Sequence, residues 1–352
     1  QWRSRRFILA ALATGMVFGL ALMMSGVANS FSVEIRNTVD ILDAQTWLVR
    51  SGSPGPFTDP VPFPVSAVVA VRQAPGVLAA DPILVGRALT AGAIVANKPT
   101  VAADEQDVNV LGVIPAGVGS PPVVEGHRLG QGDSHTAVVD ESLGIDIGQQ
   151  LALNGTAFTV VGLVTGITYF AGQPTVFIPF SAADRLNADG APLATAILVR
   201  GKPTGTVAGF TQLTDSQVRA DLGRPTAQAD KTIQLVEVLL WLVAAGIIGA
   251  IVYLSALERR GDFAVLKAVG TPSSYLFLGL VLQAILMAVG AAIIGILIEI
   301  PMAGGSSMAV RLSPSDYAAV PIVSLIVGIV ASILPARRAA RVDPAIAFGG
   351  GK

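Results

Sequence analysis

The sequence predicts an α-helical membrane protein with four transmembrane helices and a large mixed α/β extracytoplasmic domain between helices 1 and 2. Apolar residues make up 52% of the 352-residue chain and charged residues only 13%, and the mean hydropathy is +0.65. This composition is typical of a chain that is partly embedded in lipid. Four uncharged stretches are long enough to cross a bilayer, and a folded region separates the first two.

Each uncharged stretch contains at least 18 residues, which suits a helix that crosses a hydrocarbon layer of about 30 Å. The stretches are 7–27, 238–257, 273–298 and 318–335. A cleaved signal peptide is the alternative for the first, but its 21 residues exceed the apolar run of such peptides, which is about 7–15 residues. We also expect a short upstream segment, because the chain does not begin with Met.

Basic residues beside the spans predict the orientation. The three basic clusters are Arg3, Arg5 and Arg6; Arg259, Arg260 and Lys267; and Arg337, Arg338 and Arg341. With four spans all three lie on one side, which should be cytoplasmic because cytoplasmic flanks carry the excess of Lys and Arg. Both termini are therefore predicted to be cytoplasmic. The last cluster is either a contact with a cytoplasmic partner or only a stop-transfer signal.

The predicted organisation has eight parts. They are 1–29 for the cytoplasmic N-terminus and helix 1, 30–232 for the extracytoplasmic domain, 233–257 for helix 2, 258–272 for a cytoplasmic coupling helix, 273–298 for helix 3, 299–317 for a short outer loop, 318–335 for helix 4 and 336–352 for the cytoplasmic tail.

The 30–232 region is predicted to be a mixed α/β domain, because strand-like apolar runs alternate with Gly and Pro. We predict strands at 44–50, 77–84, 150–153, 156–164, 176–178 and 196–200, and a helix at 65–72. Asn154 and Gly155 predict a tight type I′ hairpin turn. A further helix is predicted to begin with Ser181 as its N-cap and Asp184 at its third position.

A short charged stretch, 258–270, lies between two predicted spans. Phe263, Leu266 and Val269 recur every three residues and predict one apolar side, while Gly270 predicts a left-handed helix end. Such a helix can insert its apolar side into a groove on a partner, or lie in the lipid headgroups. The residues we assign to coupling are Glu258, Arg259, Asp262, Phe263, Leu266, Lys267 and Gly270.

Three stretches resemble the FtsX/MacB-like permeases of ABC transporters, the mechanotransmission type that includes MacB, LolC and LolE. Residues 258–270 resemble the coupling helix of that family, 334–344 its C-terminal signature, and 147–162 with 177–181 its outer domain, which is like the MacB periplasmic core. The resemblance implies a bacterial cytoplasmic membrane protein that works with a second permease copy or paralogue. It also implies a dimer of cytoplasmic ABC ATPase subunits that binds ATP and Mg.

The ATPase is expected on another chain. The sequence has no Gly-x-x-x-x-Gly-Lys-Ser/Thr loop, and the Gly-rich residues 349–352 lack the hydroxyl, strand and helix that such a loop needs. This differs from MacB, in which the ATPase is fused. The 299–317 loop is short, and we expect the amphipathic helix that family members often carry before the first span to lie in the upstream segment.

Small residues within the spans favour close helix packing. The four-residue pairs are Gly15 with Gly19, Ala245 with Gly249, Gly246 with Ala250, and Ala291 with Gly295. Gln283 is the most polar side chain inside the spans. The apolar cores contain no charged residue or His, which argues against an ion relay and a secondary transporter.

Enzyme chemistry is not indicated, and we predict no catalytic residue, cofactor or nucleic-acid partner in this chain. It contains no cysteine, so thiol catalysis and disulfides are excluded. His127 and His135, near Glu125 and Asp133, lack a recognised metal-ligand spacing. A solvated polar loop explains these four residues as well as a metal site does.

The leading hypothesis is a permease subunit that couples ATP hydrolysis by a separate ATPase to movement of its extracytoplasmic domain, exporting or extracting a substrate at the outer membrane face. Membrane lipid and an extracytoplasmic adaptor or lipoprotein are the further partners we expect. The alternative is an FtsX-like signalling subunit that regulates a cell-wall hydrolase or senses an envelope ligand. A third hypothesis, a receptor without an ATPase, predicts that nothing cytoplasmic binds 258–270.

Overall fold

The computed structural model describes residues 2–95, 98–99, 106–187, 192–303 and 314–340. The chain divides into two compact units, which are considered separately. The α/β unit is Phe31–Gln228, and the helical unit combines Gln1–Ser30 with Ala229–Lys352.

Eight α-helices lie within the described residues. They are α1 (Trp2–Ile41), α2 (Ala67–Arg72), α3 (Phe180–Asn187), α4 (Asp215–Leu222), α5 (Ala227–Glu258), α6 (Arg260–Ala268), α7 (Ser273–Ala303) and α8 (Pro314–Ala340). A short 3₁₀ helix spans Glu141–Leu143.

The described strands belong to one large sheet and one small one. They are β1 (Thr46–Arg50), β2 (Phe63–Pro64), β3 (Val77–Val95), β4 (Lys98–Pro99), β5 (Gln106–Val113), β6 (Glu125–Gly126), β7 (Thr136–Asp140), β8 (Gln150–Leu153), β9 (Thr156–Val164), β10 (Thr168–Tyr169), β11 (Gln173–Pro179), β12 (Leu193–Ala194), β13 (Ala196–Gly201) and β14 (Phe210–Leu213).

The large sheet is mixed and is organised around β3. Its strand order is β10-β11-β7-β9-β8-β3-β13-β1-β14, with β5 pairing both β3 and β11, while β2 and β12 form a separate pair. The β5–β11 and β7–β9 pairs are parallel, and β3 pairs antiparallel with β5, β8 and β13. The length of β3 allows it to join the two halves of the sheet.

Alternating side chains of the strands form a buried core on each face of the sheet. In β13, Ile197 belongs to one core and Leu198 to the other, as the two-residue period of a strand requires. The first core is covered by α2 and α3. The second is covered by the end of α1 and the residue after it, with Val39 and Leu42, and by α4, with Val218.

Local turn chemistry predicted the β8–β9 hairpin correctly. The two strands have the predicted bounds, and Asn154 and Gly155 have φ values of 45° and 81°, as a tight turn of this type needs. The Ser181 prediction is wrong, because α3 begins one residue earlier, at Phe180. Asp184 instead accepts a hydrogen bond from the N–H of Leu193 at 3.2 Å.

Helix α1 is much longer than the predicted span. It has 40 residues and runs into the α/β unit as far as Ile41, whereas the outer domain was predicted to begin directly after residue 29. Residues 28–41 contain no Gly or Pro to end the helix. Phe31, Val39 and Leu42 are buried, so tertiary packing stabilises the extension.

Three described helices are long and apolar enough to cross a membrane, namely those covering Ile8–Ile41, Ala227–Glu258 and Ser273–Glu299. Within α8 the described apolar stretch is shorter, Ile322–Leu334, and the fourth span therefore stays a prediction. Helix α8 continues past Pro335, where we expected it to end. Helix α7 continues to Ala303, so residue 299 lies in a helix rather than in the predicted loop.

The predicted small-residue contacts bring helices of the helical unit together. A Cβ added to Gly19 would lie 3.1 Å from the carbonyl oxygen of Gly295, and one added to Gly249 would lie 3.1 Å from that of Ala331. Helices α1 and α7, and also α5 and α8, therefore approach closely, as small residues allow. Gly246 has open space at its Cβ position and makes no such contact with the described residues.

We predict that Gly295→Leu destabilises the helical unit, whereas Gly290→Leu does not. A Cβ at position 295 would lie 2.9 Å from the backbone nitrogen of Gly19, while one at position 290 has no atom within 4 Å. Overpacking of this kind costs about 1–3 kcal/mol. Heating the detergent-purified chain and following the monodisperse fraction by size exclusion measures the effect. Equal melting midpoints for the two variants would contradict the α1–α7 contact.

Candidate functional site

The short helix α6 has a well-defined end. Gly270 has a φ of 97°, and its N–H donates to the carbonyl of Lys267 at 3.0 Å, while the N–H of Thr271 donates to that of Leu266 at 3.0 Å. These two bonds form a Schellman motif, in which a glycine adopts the left-handed conformation. The left-handed helix end predicted at Gly270 is confirmed, while its assignment to coupling stays a prediction.

The beginning of α6 differs from the prediction. Glu258 is the last residue of α5, and Arg259 is the N-cap of α6, without a side-chain capping bond. Glu258 and Arg259 line a groove of about 610 Å³ with Ser255 and Gln283. These two charged residues therefore belong to the α5–α6 junction rather than to one face of the short helix.

The apolar residues of α6 do not form the single side that a three-residue spacing predicted. Phe263 is only 8% exposed and belongs to the buried cluster of the helical unit, together with Val252 and Leu280. Leu266 is 44% exposed and Val269 82%. Because each helical residue turns by about 100°, positions 263 and 269 point about 120° apart. Phe263 thus anchors α6 to the helical unit, and Leu266 and Val269 remain accessible.

The exposed residues of α6 follow the true helical repeat. Asp262, Val265, Leu266 and Val269 are all exposed, and their spacing of three, four and seven residues places them on one face. We call these four residues the α6 stripe. Asp262 lies in the first turn and Lys267 in the last, which suits the helix dipole. Sequence reasoning missed Val265, although the 3.6-residue period would have found it.

The C-terminal basic cluster is described only in part. Arg337 lies in α8 and is exposed. The side chain of Arg338 and the whole of Arg341 lie outside the described residues.

A second candidate element joins the end of α1 to the loop between β9 and β11. The Glu34 carboxylate accepts a hydrogen bond from the N–H of Gly172 at 3.2 Å. Asn37 donates to the carbonyl of Gly166 at 3.2 Å, and Thr38 to that of Thr168 at 3.3 Å. We call these three contacts the α1 clasp. Its helical residues have the spacing of one face, a signal that sequence reasoning did not use.

The loop that the clasp holds has an unusual backbone. Phe170, Ala171 and Gly172 are three consecutive residues with positive φ, of 54°, 66° and 88°, and each non-glycine residue in this region costs about 1–2 kcal/mol. The Arg87 guanidinium lies 4.6 Å from the centre of the Phe170 ring. The clasp and this cation–π contact offset part of the strain.

Tyr169 fixes the base of the same loop. Its ring packs against those of Phe57 and Phe170, with centres 5.6 and 4.8 Å away. Asn109 donates to the carbonyl of Gln173 at 3.1 Å. Burial raises the pKa of the Tyr169 phenol far above its usual value, and the nearby charge of Arg87 opposes this only weakly. The phenol therefore stays neutral and serves packing.

The histidines show no metal site within the described residues, where no group of three or more His, Asp and Glu side chains could hold a metal ion. His135 instead makes a 2.9 Å contact with the hydroxyl of Ser134 through Nδ1.

Comparison with known proteins identifies the family. Residues 7–216 match the MacB-like periplasmic core domain, and residues 235–344 match the FtsX-like permease C-terminal family. The ABC transporter permease Rv0072 of Mycobacterium tuberculosis is 37% identical over 351 residues, which cover 99% of this chain and 97% of that protein. The chain belongs to the FtsX/MacB-like family of ABC transporter permeases. It is thus a membrane protein with a large extracytoplasmic domain, which corresponds to the α/β unit.

Two further similarities complete the comparison. The permease is 35% identical over 350 residues to the ABC transporter permease Rv2563 of M. tuberculosis, covering 99% of this chain and 97% of that one. The solved periplasmic region of MacB from Actinobacillus actinomycetemcomitans shares 13% identity, with a TM-score of 0.36. That match covers 51% of the permease and 93% of the solved chain.

We predict that Phe263→Ala destabilises the permease by about 3–5 kcal/mol, as removal of a buried aromatic ring does. Leu266→Ala, on the exposed stripe, should change stability by less than about 0.5 kcal/mol. Thermal unfolding of the two purified variants in the same detergent compares them. A lower midpoint for Leu266→Ala than for Phe263→Ala would show that the two faces of α6 are assigned the wrong way round.

Proposed function

We propose that this permease couples ATP hydrolysis by a separate cytoplasmic ATPase to movement of its extracytoplasmic domain, and thereby exports or extracts a substrate at the outer membrane face. The α6 stripe is the observation that carries the proposal. Its apolar residues are exposed on a short helix that joins two long apolar helices. ABC transporter permeases work with ATPase subunits, and the stripe is a suitable surface for one.

Docking of the stripe follows the usual geometry of an amphipathic helix in a groove. Val265, Leu266 and Val269 would enter an apolar groove on the ATPase, while the exposed Arg259 and Asp262 supply polar contacts beside it. Because Phe263 is buried in the helical unit, a force on α6 reaches the membrane helices through packed side chains. The Schellman end keeps the helix from unravelling under that force.

Transmission beyond the membrane uses α1. This helix contains Gly15 and Gly19, which contact α7, and Glu34, which belongs to the α1 clasp. A displacement of α7 by the ATPase would move α1 as a hydrogen-bonded rod and pull on the loop at 166–172. The proposed path is thus α6, α7, α1 and the clasp.

The remaining parts of the proposal follow the family plan. A second permease copy or paralogue would pair with this chain, and an ATPase dimer would hold ATP and Mg. Four spans would place both termini in the cytoplasm, and Arg337, Arg338 and Arg341 would lie near the ATPase. An extracytoplasmic adaptor or lipoprotein would bind the moving domain.

We predict that the double variant Leu266→Asp, Val269→Asp loses the ATPase but keeps its fold. Two carboxylates in an apolar groove would remain unpaired there. Tagged wild-type and variant chains are purified from native membranes at matched expression. Any ATPase with a Gly-x-x-x-x-Gly-Lys-Ser/Thr loop that is recovered with each chain is quantified by mass spectrometry.

Ala268→Asp is the matched control, since it adds a charge to the same exposed turn but outside the stripe. The double variant should retain less than a tenth of the wild-type ATPase, and the control most of it. Absence of any ATPase from the wild-type chain would contradict the proposal and favour the receptor hypothesis. Capture of a peptidoglycan hydrolase by the wild-type chain would favour signalling over transport.

A second prediction concerns the clasp: Glu34→Ala should uncouple the extracytoplasmic domain without releasing the ATPase. Loss of the acceptor for the Gly172 N–H should speed exchange of that amide about tenfold, because a bond to a charged group contributes about 1.5 kcal/mol or more. Hydrogen exchange of 166–172 is measured in the nucleotide-free complex and in a complex trapped with vanadate.

The wild type should show a nucleotide-dependent change in this loop, which Glu34→Ala abolishes. Asp59→Ala, a change at an exposed carboxylate of the same unit, should keep it. A nucleotide response that survives in Glu34→Ala would exclude the clasp from the transmission path.

A further inference from the structure

Helix α7 contains a buried carboxylate near its end. Glu299 is only 2% exposed and lies within the apolar helix Ser273–Glu299. The sequence placed this residue at the start of an outer loop, where water would solvate its charge. The burial of Glu299 within the helical unit removes that solvation.

An apolar pocket of about 290 Å³ opens at this carboxylate. Its walls come from α1 and α7, and its lining residues are Met16, Val17, Gly19, Leu20, Met23, Ile298 and Glu299. The volume equals that of about ten water molecules in the liquid, so the pocket holds one chain or ring. Two methionines make its walls adaptable, because their thioethers are flexible and polarizable.

The carboxylate has one oxygen without a partner. The Tyr317 hydroxyl donates to Oε2 of Glu299 at 3.3 Å, but Oε1 is buried and accepts no hydrogen bond from any described residue. A carboxylate in an apolar site is stable only when a cation or several donors compensate it. The other described residues that line the pocket are apolar, so none of them supplies a compensating cation.

We propose that this pocket binds a small cationic amphiphile, whose ammonium group pairs with Oε1 of Glu299 and whose apolar chain lies along α1. The charge of the carboxylate selects the cation, and the apolar walls select the chain. A zwitterionic phospholipid fits less well, because its phosphate would bring a second anion beside Glu299 with no basic lining residue to pair with it. Exposed Met16 and Leu20 form the mouth.

Equilibrium dialysis with the full permease in phosphatidylcholine nanodiscs tests the site. The probe is radiolabelled dodecylamine, and empty nanodiscs correct for its partition into lipid. We expect one saturable site per chain in the wild type and at least tenfold weaker binding in Glu299→Gln, which keeps the shape but removes the charge. Dodecanol, with the same chain, should bind both proteins equally.

A second measurement uses only the wild-type chain and is independent of how the variant folds. A hydrophobic carbodiimide labels carboxyl groups in apolar surroundings, and mass spectrometry quantifies the adduct at Glu299. Dodecyltrimethylammonium, which has no nucleophilic amine, should protect Glu299 at a concentration at least tenfold lower than dodecanol does. Equal protection by the two compounds would overturn the proposal.

Two other groups compete with the amphiphile as the partner of the Glu299 carboxylate, and each predicts a different result. Arg311 lies in a segment outside the described residues, and stronger dodecylamine binding by Arg311→Gln would identify an internal ion pair and overturn the proposal. Shielding of Glu299 from the carbodiimide in discs with two copies, but not in discs with one, would assign the pocket to a second copy instead. Neither experiment needs the ATPase, so failure here leaves the proposed coupling function intact.

Discussion

The hydrocarbon core of the membrane imposes the constraint on which the rest of this structure depends. Backbone N–H and C=O groups in lipid must be paired within the segment, so a chain crosses it as continuous helices. Both places where the chain passes between the two units lie within or beside such helices, at Ser30–Phe31 in α1 and Gln228–Ala229 in α5. Both covalent connections between the units are therefore helical.

Helices α1 and α4, near the two ends of the α/β unit, pack on the same face of its sheet. Val39 of α1, Leu42 directly after it, and Val218 of α4, the helix that precedes α5, share the same buried core. Arg219 and Asp40 form an ion pair at 2.6 Å between the two helices. An exposed pair of this kind is worth at most about 1 kcal/mol, so the apolar core makes the larger contribution to holding α1 and α4 together.

Sequence reasoning succeeded where the local chemistry decides the structure and failed where tertiary contacts do. Asn154 and Gly155 form the predicted turn because few other residues adopt positive φ without strain. Gly270 ended α6 for the same reason. Phe263 was assigned to the exposed side because the sequence cannot show that other helices cover it. Glu299 was assigned to a loop because its charge, rather than the helical context around it, determined the boundary.

The α1 clasp could be recognised only from the structure. The interaction joins residues more than a hundred positions apart, Glu34 with Gly172 and Thr38 with Thr168, and a single sequence does not reveal such pairs. The polar contacts of the clasp also suit a connection that changes its geometry better than an apolar core would. Hydrogen bonds are directional and individually contribute only about 1–2 kcal/mol, so a small displacement of α1 would weaken them one at a time. The strained turn at Phe170–Gly172 lies directly beside them and would relax as they weaken. Under the proposed coupling, a modest shift of α1 would in this way change the shape of a loop in the extracytoplasmic domain without unfolding the sheet behind it.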